Sequence, residues 1–213
     1  MLLTFKVLIL SVINYASPIW YPNSSPSAIQ KLQRLQNISL RICMGNIKKA
    51  AISHLHAEAG ILQVNDHLRM LCLQFYANTL QPSHPSHPVV TLPLSPRNMK
   101  HTLPSLFQQD IAPFLINGVV PPESYKLTIK AIHTESVCRA ISKVDTSPTL
   151  NHGCNCLLGT ILPPVDPSEK SLARQHRSCL SQLRSGFCTL LRSYLHVVGR
   201  SASDSCPECD GPP

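Results

Sequence analysis

A Cys-x-x-Cys pair near the carboxyl end is the most specific chemical signal in this sequence. Cys206 and Cys209 are separated by a proline and a glutamate, and two thiolates at this spacing can hold one Zn²⁺ from a tight turn. A closed zinc site needs two further Cys or His ligands, and the sequence after Cys209 contains none. The pair is therefore half of a metal site or a dithiol without metal. We expect no cofactor, and zinc only if ligands from elsewhere complete the site.

The histidines form a weaker candidate for metal binding. His54, His56 and Glu58 stand close together in a segment that reads as helical. Successive helical residues turn by about 100°, so His56 points about 200° away from His54, and only His54 and Glu58 share a face. His84 and His87 lie among prolines, where a rigid ligand geometry is not expected. We interpret all four histidines as structural or surface residues.

Motifs for nucleophilic or phosphoryl chemistry are missing from the sequence. It contains neither a Gly-x-Ser-x-Gly nucleophile motif nor a glycine-rich phosphate loop. The 11 Asp and Glu residues are scattered, and no two of them are adjacent to hold a pair of metal ions. We therefore expect a protein that is not an enzyme.

Cationic residues are concentrated in the first third of the chain. The protein of 213 residues carries 19 Lys and Arg against 11 Asp and Glu, a net charge of +8, and residues 1–60 contain only one acid, Glu58. Such an imbalance favours a polyanionic partner. On a helix at 100° per residue, three of the cations fall within about 80° of one another, and two more follow the helix. These five residues are Lys31, Arg34, Arg41, Lys48 and Lys49.

A cationic row at helical spacing can follow phosphates without reading bases, and each such contact adds affinity that depends on salt. The sequence therefore indicates weak, sequence-independent binding to the backbone of RNA or DNA. An ordinary solvated face is the alternative that the same pattern allows.

The cysteine content suggests a reducing environment. Nine cysteines are an odd number in a chain longer than the usual disulfide scaffolds. Five of them, at positions 43, 72, 138, 179 and 188, lie in apolar, helix-like segments, where a thiol usually behaves as a small buried hydrophobe. We expect reduced thiols and an intracellular location, in the nucleus or the cytoplasm.

The apolar segment 1–16 has two possible readings. It is similar to the apolar part of a signal peptide, but no basic residue precedes Leu2, Lys6 interrupts the run, and the cleavage site is poor. A buried helix is the preferred interpretation. No apolar stretch reaches the roughly 18 residues of a membrane span, so we expect no membrane partner.

The hydrophobic periodicity predicts a mostly α-helical fold without a substantial sheet. Ser25 and Pro26 read as a capping residue and a first helical residue, and Gly45 reads as a stop signal. The longest of the predicted helices span about 26–44, 66–80, 124–144 and 168–198, with shorter ones at 2–15, 50–59 and 103–107.

Proline content divides the chain into helical parts. Nine prolines fall within residues 82–122, and proline disfavours helix both at its own position and at the one before it. We therefore predict two loosely associated helical subdomains, 1–80 and 122–200, joined by a Pro-rich linker, 81–121, and followed by a tail, 201–213. The last predicted helix carries an apolar seam at helical spacing, formed by Leu172, His176, Leu180, Leu183, Phe187, Leu190, Tyr194 and Val197. This seam supports an alternative function, a helical module that binds other polypeptide segments.

Several long motifs resemble one known family. They include Tyr15-Ala-Ser-Pro-Ile-Trp20, Ile29-Gln-Lys-Leu-Gln-Arg-Leu-Gln-Asn37, His54-Leu-His-Ala-Glu-Ala59 and Leu180-Ser-Gln-Leu-Arg-Ser-Gly-Phe-Cys188, together with the Cys206–Cys209 pair. Nearly the whole chain is similar to the thumb and carboxyl-terminal region of reverse transcriptases from jockey-type non-LTR retrotransposons.

The resemblance implies a non-catalytic fragment of an RNA-directed DNA polymerase. The family's catalytic carboxylates lie in a palm that precedes this region, and its Tyr-x-Asp-Asp motif has no counterpart here. A thumb grips the backbone of template and primer, so residues 1–80 would be a thumb-like subdomain and the five cations would be part of that grip, with Arg184 as a weaker candidate. Cys206 and Cys209 match the first two of the family's four zinc-finger ligands.

Overall fold

The computed structural model of the chain describes residues 1–48, 50, 52–91, 102–121, 125–145, 167–184 and 188–203. This part is 72% helical and contains no strand or sheet, which confirms the prediction of a mostly α fold. Its one departure from helix and loop is an isolated bridge between Ile116 and Val119. The α-helices are α1 (Leu2–Phe5), α2 (Ser11–Asn14), α3 (Ser17–Trp20), α4 (Pro26–Met44), α5 (Ile52–Ala59), α6 (Val64–Thr79), α7 (His87–Val90), α8 (Leu103–Ile111), α9 (Tyr125–Asp145), α10 (Pro167–Ser171), α11 (Arg174–Arg184) and α12 (Arg192–Val197).

Helix α4 begins and ends where its sequence signals predict. Pro26 is its first residue, and the Ser25 hydroxyl accepts a hydrogen bond of 3.3 Å from the backbone N–H of Ala28. Met44 is its last residue, and Gly45 follows with φ = +71°. This left-handed conformation suits glycine, which has no Cβ to clash with the backbone.

The chain divides into two compact units that interleave along the sequence. Unit 1 contains Met1–Phe5, Leu35–Ile61 and Ile141–Pro213, and unit 2 contains Lys6–Arg34 and Leu62–Ala140. This division differs from the prediction, in which one helical subdomain, a linker and a second helical subdomain follow one another along the chain. The difference arises because segments far apart in sequence pack together within each unit, and proline content gives no information about such contacts.

Unit 2 is built on an apolar core around α6. Leu68, Cys72 and Ala77 of this helix have no exposed surface, and burial raises the pKa of Cys72 to about 12. Two clusters of buried side chains share the helix. The first contains Met70, Cys72, Leu73, Tyr76, Ala77, Leu80, Phe107, Ile111, Val120 and Ile132, and the second contains Ile13, Val64 and Leu68.

The described part of the predicted Pro-rich linker belongs to this core. Helix α8 is longer than the predicted segment 103–107 and buries Phe107 and Ile111 against α6. Arg69 of α6 forms an ion pair with Asp110, at 2.5 Å, and its guanidinium carbon lies 5.9 Å from the centre of the Phe107 ring. The prolines break the helix, as predicted, but Phe107, Ile111 and Val120 between them are buried, whereas Val89, Leu106 and Ile116 are exposed.

His67 makes the stability of unit 2 sensitive to pH. Its Nε2 lies 2.9 Å from Oδ1 of Asn14, and burial, followed by the nearby charge of His133, lowers its pKa below the ordinary 6.5. A lowered pKa means that the unfolded chain binds the proton more tightly, so stability is complete above about pH 6.5 and falls as the pH drops below it. We expect the urea midpoint to fall between pH 7.5 and 5.5.

His67→Gln is the matched control, since it retains a donor toward Asn14 but cannot titrate. Its urea midpoint should fall less than that of the natural chain over the same pH range. Equal pH slopes in the two proteins would show that other groups control this dependence.

Unit 1 has a more polar interior. Gln36, Asn37, His56 and Ser181 are buried beside apolar residues such as Leu40 and Leu55. His56 Nδ1–H donates to the carbonyl of Ile61 at 2.9 Å, and its Nε2 lies 2.9 Å from Oδ1 of Asn37. The interpretation of His56 as a structural residue is consistent with these contacts, whereas the side chain of His54 lies outside the described residues.

The predicted single helix over 168–198 is wrong. The described residues form three shorter helices, α10, α11 and α12, with non-helical residues at 172–173 and 188–191. Helix α11 buries Ser181, while Leu183 is 37% exposed. The polar face of α11 is directed inward because it forms hydrogen bonds with the residues at the end of α4. Gln182 Nε2 donates to Gly45 O at 2.7 Å, and Asn46 Nδ2 donates to Ser181 Oγ at 3.0 Å.

The first helical segments are only partly buried. Phe5 and Ile13 are buried, whereas Leu3, Val12, Tyr15 and Ile19 are each more than 70% exposed. The expectation of a buried amino-terminal helix therefore holds for a minority of its apolar side chains. Within the described ranges no single helix is long and apolar enough to cross a membrane, although the bent pair Leu2–Asn14 and Ser17–Asn23 passes that test together.

Candidate nucleic-acid interface

Lys31 and Arg34 are exposed on one side of α4. They lie three residues apart, a spacing that places neighbouring side chains on the same face of a helix. Ile29 and Leu32 of the same helix pack against the buried cluster of Ile13, Val64 and Leu68, which fixes the orientation of this part of α4. No acidic side chain of the described residues forms an ion pair with either cation.

Arg41 is held differently from these two residues. It is partly buried, and its Nη2 donates to the carbonyl of Ala50 at 3.3 Å. Its Nε is buried and has no hydrogen-bond partner within the described residues. One guanidinium nitrogen of Arg41 therefore binds the turn after α4, and only part of the guanidinium faces solvent.

The structure describes some of the other predicted site residues and not others. Lys48 is exposed just after α4. Lys49, Cys206 and Cys209 lie outside the described residues, so their predicted roles stay predictions. Within the described ranges no group of three or more His, Cys, Asp or Glu residues could hold a metal ion.

Arg184 is an internal ion-pair residue. Its Nη1 donates to Glu58 Oε1 at 3.0 Å and to Glu169 Oε2 at 3.1 Å, and its Nη2 pairs with Glu169 Oε1. The hydrogen bonds to Glu169, and then those to Glu58, raise the pKa of its guanidinium. Two carboxylates surround one cation, so this group presents no positive charge to a polyanion, and we leave Arg184 out of the proposed surface.

The described carboxylates are mostly used within the fold. Asp110 pairs with Arg69, Glu135 with Arg139, and Glu58 and Glu169 with Arg184. Asp66 is buried in the first turn of α6. Within the described residues, exposed cations such as Lys31 and Arg34 are therefore not neutralised by these acids.

Unit 1 has two further exposed cations that the sequence analysis did not select. Arg174 and Arg177 are exposed at the start of α11, and Arg174 Nη2 donates to Ile42 O at 3.3 Å near the end of α4. Their spacing of three residues was a usable signal. It was missed because the same segment was assigned to an apolar seam.

The predicted seam does not form one continuous face. Leu172 and Leu180 are partly buried, His176 is exposed and Leu190 is 74% exposed. The side chains of Phe187 and Val197 lie outside the described residues. Because the segment is divided among three helices, the regular spacing in sequence does not give a straight stripe.

Comparison with known proteins adds no relative to this description. No protein-family profile, no curated protein and no solved structure matches the chain. What is established is the class that the fold defines, a mostly α-helical protein, and its sequence carries a net positive charge. The resemblance to jockey-type reverse transcriptases stays a prediction, because none of these comparisons tests it.

Proposed function

We propose that this chain is a non-catalytic helical protein that binds the backbone of RNA or DNA weakly and without sequence preference. This is the role that the resemblance to a retrotransposon reverse transcriptase implies for a thumb and carboxyl-terminal region. The observation that carries the proposal is the exposed pair Lys31 and Arg34, which no described acid neutralises.

The chemistry of binding is the replacement of counterions. A phosphate backbone holds a layer of cations, and each lysine or arginine that contacts a phosphate releases them into solution. The helix fixes the backbone positions of these two cations, so only their side chains lose freedom when they contact phosphates. Lys48, Arg174 and Arg177 provide further exposed cations in unit 1.

The test is fluorescence anisotropy with labelled single-stranded RNA, single-stranded DNA and duplex DNA at rising salt, between about 50 and 200 mM. The double variant Lys31→Gln/Arg34→Gln should weaken binding to all three probes by about tenfold. It should also reduce the slope of log affinity against log salt by about two, one for each lost phosphate contact.

Helix α9 offers a matched control in the same unit. Lys126 and Lys130 are exposed and four residues apart, so Lys126→Gln/Lys130→Gln removes the same charge from one helix face. It should weaken binding much less. Equal losses in the two double variants would mean that net charge alone acts, and affinity that does not depend on salt would reject the proposal.

A protein-interaction module is the second candidate, favoured by the exposure of two leucines of the segment, Leu190 at 74% and Leu183 at 37%. Light scattering on the same samples separates the two functions. A chain that binds no probe but self-associates, and becomes monomeric on Leu190→Glu, would support the second. A monomer with salt-dependent affinity supports the first.

A further inference from the structure

Five large apolar side chains near the start of unit 2 are exposed to solvent. Val7, Leu8, Val12, Tyr15 and Ile19 have between 58% and 79% of their surface exposed. They account for half of the exposed large hydrophobic residues in the described part of this unit, and all of them lie within residues 7–19. We call these five residues the amino-terminal apolar face.

The segment that carries this face is held on α6 by its other side. Ile13 is buried in one of the apolar clusters of α6. His67 Nε2 lies 2.9 Å from Asn14 Oδ1, and the Tyr21 hydroxyl donates to Asn65 Oδ1 at 2.8 Å. The face is therefore formed before any partner binds, and binding does not have to order its backbone.

Polar groups beside the face already have internal partners. Ser11 lies among the exposed residues, and its hydroxyl donates to the carbonyl of Val7. The Trp20 indole N–H donates to the carbonyl of Tyr15 at 2.8 Å. A polar group with an internal partner costs little when lipid replaces the water around it. Tyrosine and tryptophan are also the residue types enriched at the boundary between lipid and water.

Charge indicates which partner suits the face. Lys6 is exposed directly before it in sequence, and the chain contains no Asp or Glu before Glu58. A second copy of the chain would bring the same cation and no acid from this segment, so it offers no opposite charge. An anionic bilayer offers acyl chains to the apolar residues and negative headgroups to Lys6.

We propose that the amino-terminal apolar face binds in the surface of an anionic phospholipid bilayer. The bent pair Leu2–Asn14 and Ser17–Asn23 has the length and composition of a membrane segment, and the exposure of the face distinguishes it from a core helix of similar composition. The expectation of no membrane partner considered spanning helices alone, whereas a segment that lies along the surface needs no spanning length. The proposal uses neither Lys31 nor Arg34, so it is independent of the proposed function.

Flotation of the full chain with lipid vesicles in a density gradient tests the proposal. Phosphatidylcholine vesicles that contain about 30% phosphatidylserine should bind the chain at least about fivefold more tightly than vesicles of phosphatidylcholine alone. Trp20 is the only tryptophan of the chain. Its fluorescence should shift to shorter wavelength on binding, and phosphatidylcholine brominated on its acyl chains should quench it.

Variants separate the apolar and the electrostatic contributions. Leu8→Gln/Val12→Gln removes two residues of the face that lie four positions apart, and it should weaken vesicle binding by about tenfold or more. Lys6→Gln should weaken binding to the anionic vesicles by about fivefold and leave the weak binding to neutral vesicles unchanged. Val89→Gln/Leu127→Gln is the matched control, because these residues of unit 2 are 71% and 69% exposed but lie outside the face. It should leave vesicle affinity unchanged.

The substituted side chains are all exposed, so the variants should fold like the natural chain, which circular dichroism checks. Quenching of Trp20 by brominated lipid uses the natural chain and does not depend on any variant. Vesicle binding that Leu8→Gln/Val12→Gln does not weaken, or that is equal for neutral and anionic vesicles, would overturn the proposal. A chain that does not float with vesicles, but self-associates and becomes monomeric on Leu8→Gln/Val12→Gln, would overturn it in favour of a second copy.

Discussion

Gly45→Ala is expected to destabilise the chain by about 3 kcal/mol, of which about 1 kcal/mol comes from the backbone and the rest from overlap. Gly45 has φ = +71°, a conformation that residues with a Cβ rarely adopt. A Cβ at this position would stand 2.6 Å from Cβ of Ser178 and would also overlap its hydroxyl. Urea denaturation followed by circular dichroism measures the change.

Gly60 supplies the matched control for this substitution. It lies in the same unit and has a similar φ of +59°, but an added Cβ would meet no atom within 4 Å. Gly60→Ala should therefore cost only the backbone share, about 1 kcal/mol. Equal losses at the two glycines would show that α11 does not pack closely against the turn after α4.

Removing Ser178 adds an internal check. Ser178→Gly deletes the atoms that the new Cβ would meet, so Gly45→Ala should cost about 1 to 2 kcal/mol less in that background than in the natural chain. If the free-energy changes of the two substitutions were additive, the turn must move away and relieve the overlap by itself.

Arg184→Met is expected to lower the free energy of unfolding by about 2 kcal/mol. The change keeps much of the side-chain length but leaves Glu58 and Glu169, whose side chains are 11% and 21% exposed, facing each other without a cation. The effect is smaller than for a fully buried pair because the Arg184 side chain itself is 30% exposed.

Arg139 of α9 is the comparison residue. It pairs with Glu135 at 2.8 Å, but both side chains are more than a third exposed, so Arg139→Met should change stability by less than about 0.5 kcal/mol. Adding Glu169→Gln to Arg184→Met should recover part of the loss, because it removes one of the unpaired charges. No recovery would argue that packing, rather than charge, explains the effect of Arg184.

Local signals in the sequence predicted local structure well. Ser25, Pro26 and Gly45 mark the bounds of α4 because capping and left-handed turns depend on neighbouring residues alone. The helix over 124–144 agrees with α9, in which Ile132 is buried as its spacing indicates.

Side-chain partners across the sequence were not predictable in the same way. Leu35 and Ile42 are apolar residues at helical spacing on α4, but they are 47% and 56% exposed, while Gln36 and Asn37 are buried. Hydrophobic spacing cannot identify a helix face that is buried through hydrogen bonds, and the Asn37–His56 contact joins residues nineteen positions apart. For the same reason the sequence could not separate Arg184, which pairs with Glu58, from exposed cations such as Lys31.

The contrast between the interiors of the two units has a thermodynamic consequence. Exposing apolar surface raises the heat capacity on unfolding, whereas exposing polar surface lowers it. Among the described residues, unit 2 buries thirteen apolar residues together with Ser17, Asp66, Thr79 and Thr128, whereas unit 1 buries only seven apolar residues together with Gln36, Asn37, His56 and Ser181. Unit 1 should therefore contribute less heat capacity per residue, so its stability varies more gently with temperature, and cooling weakens it less than unit 2.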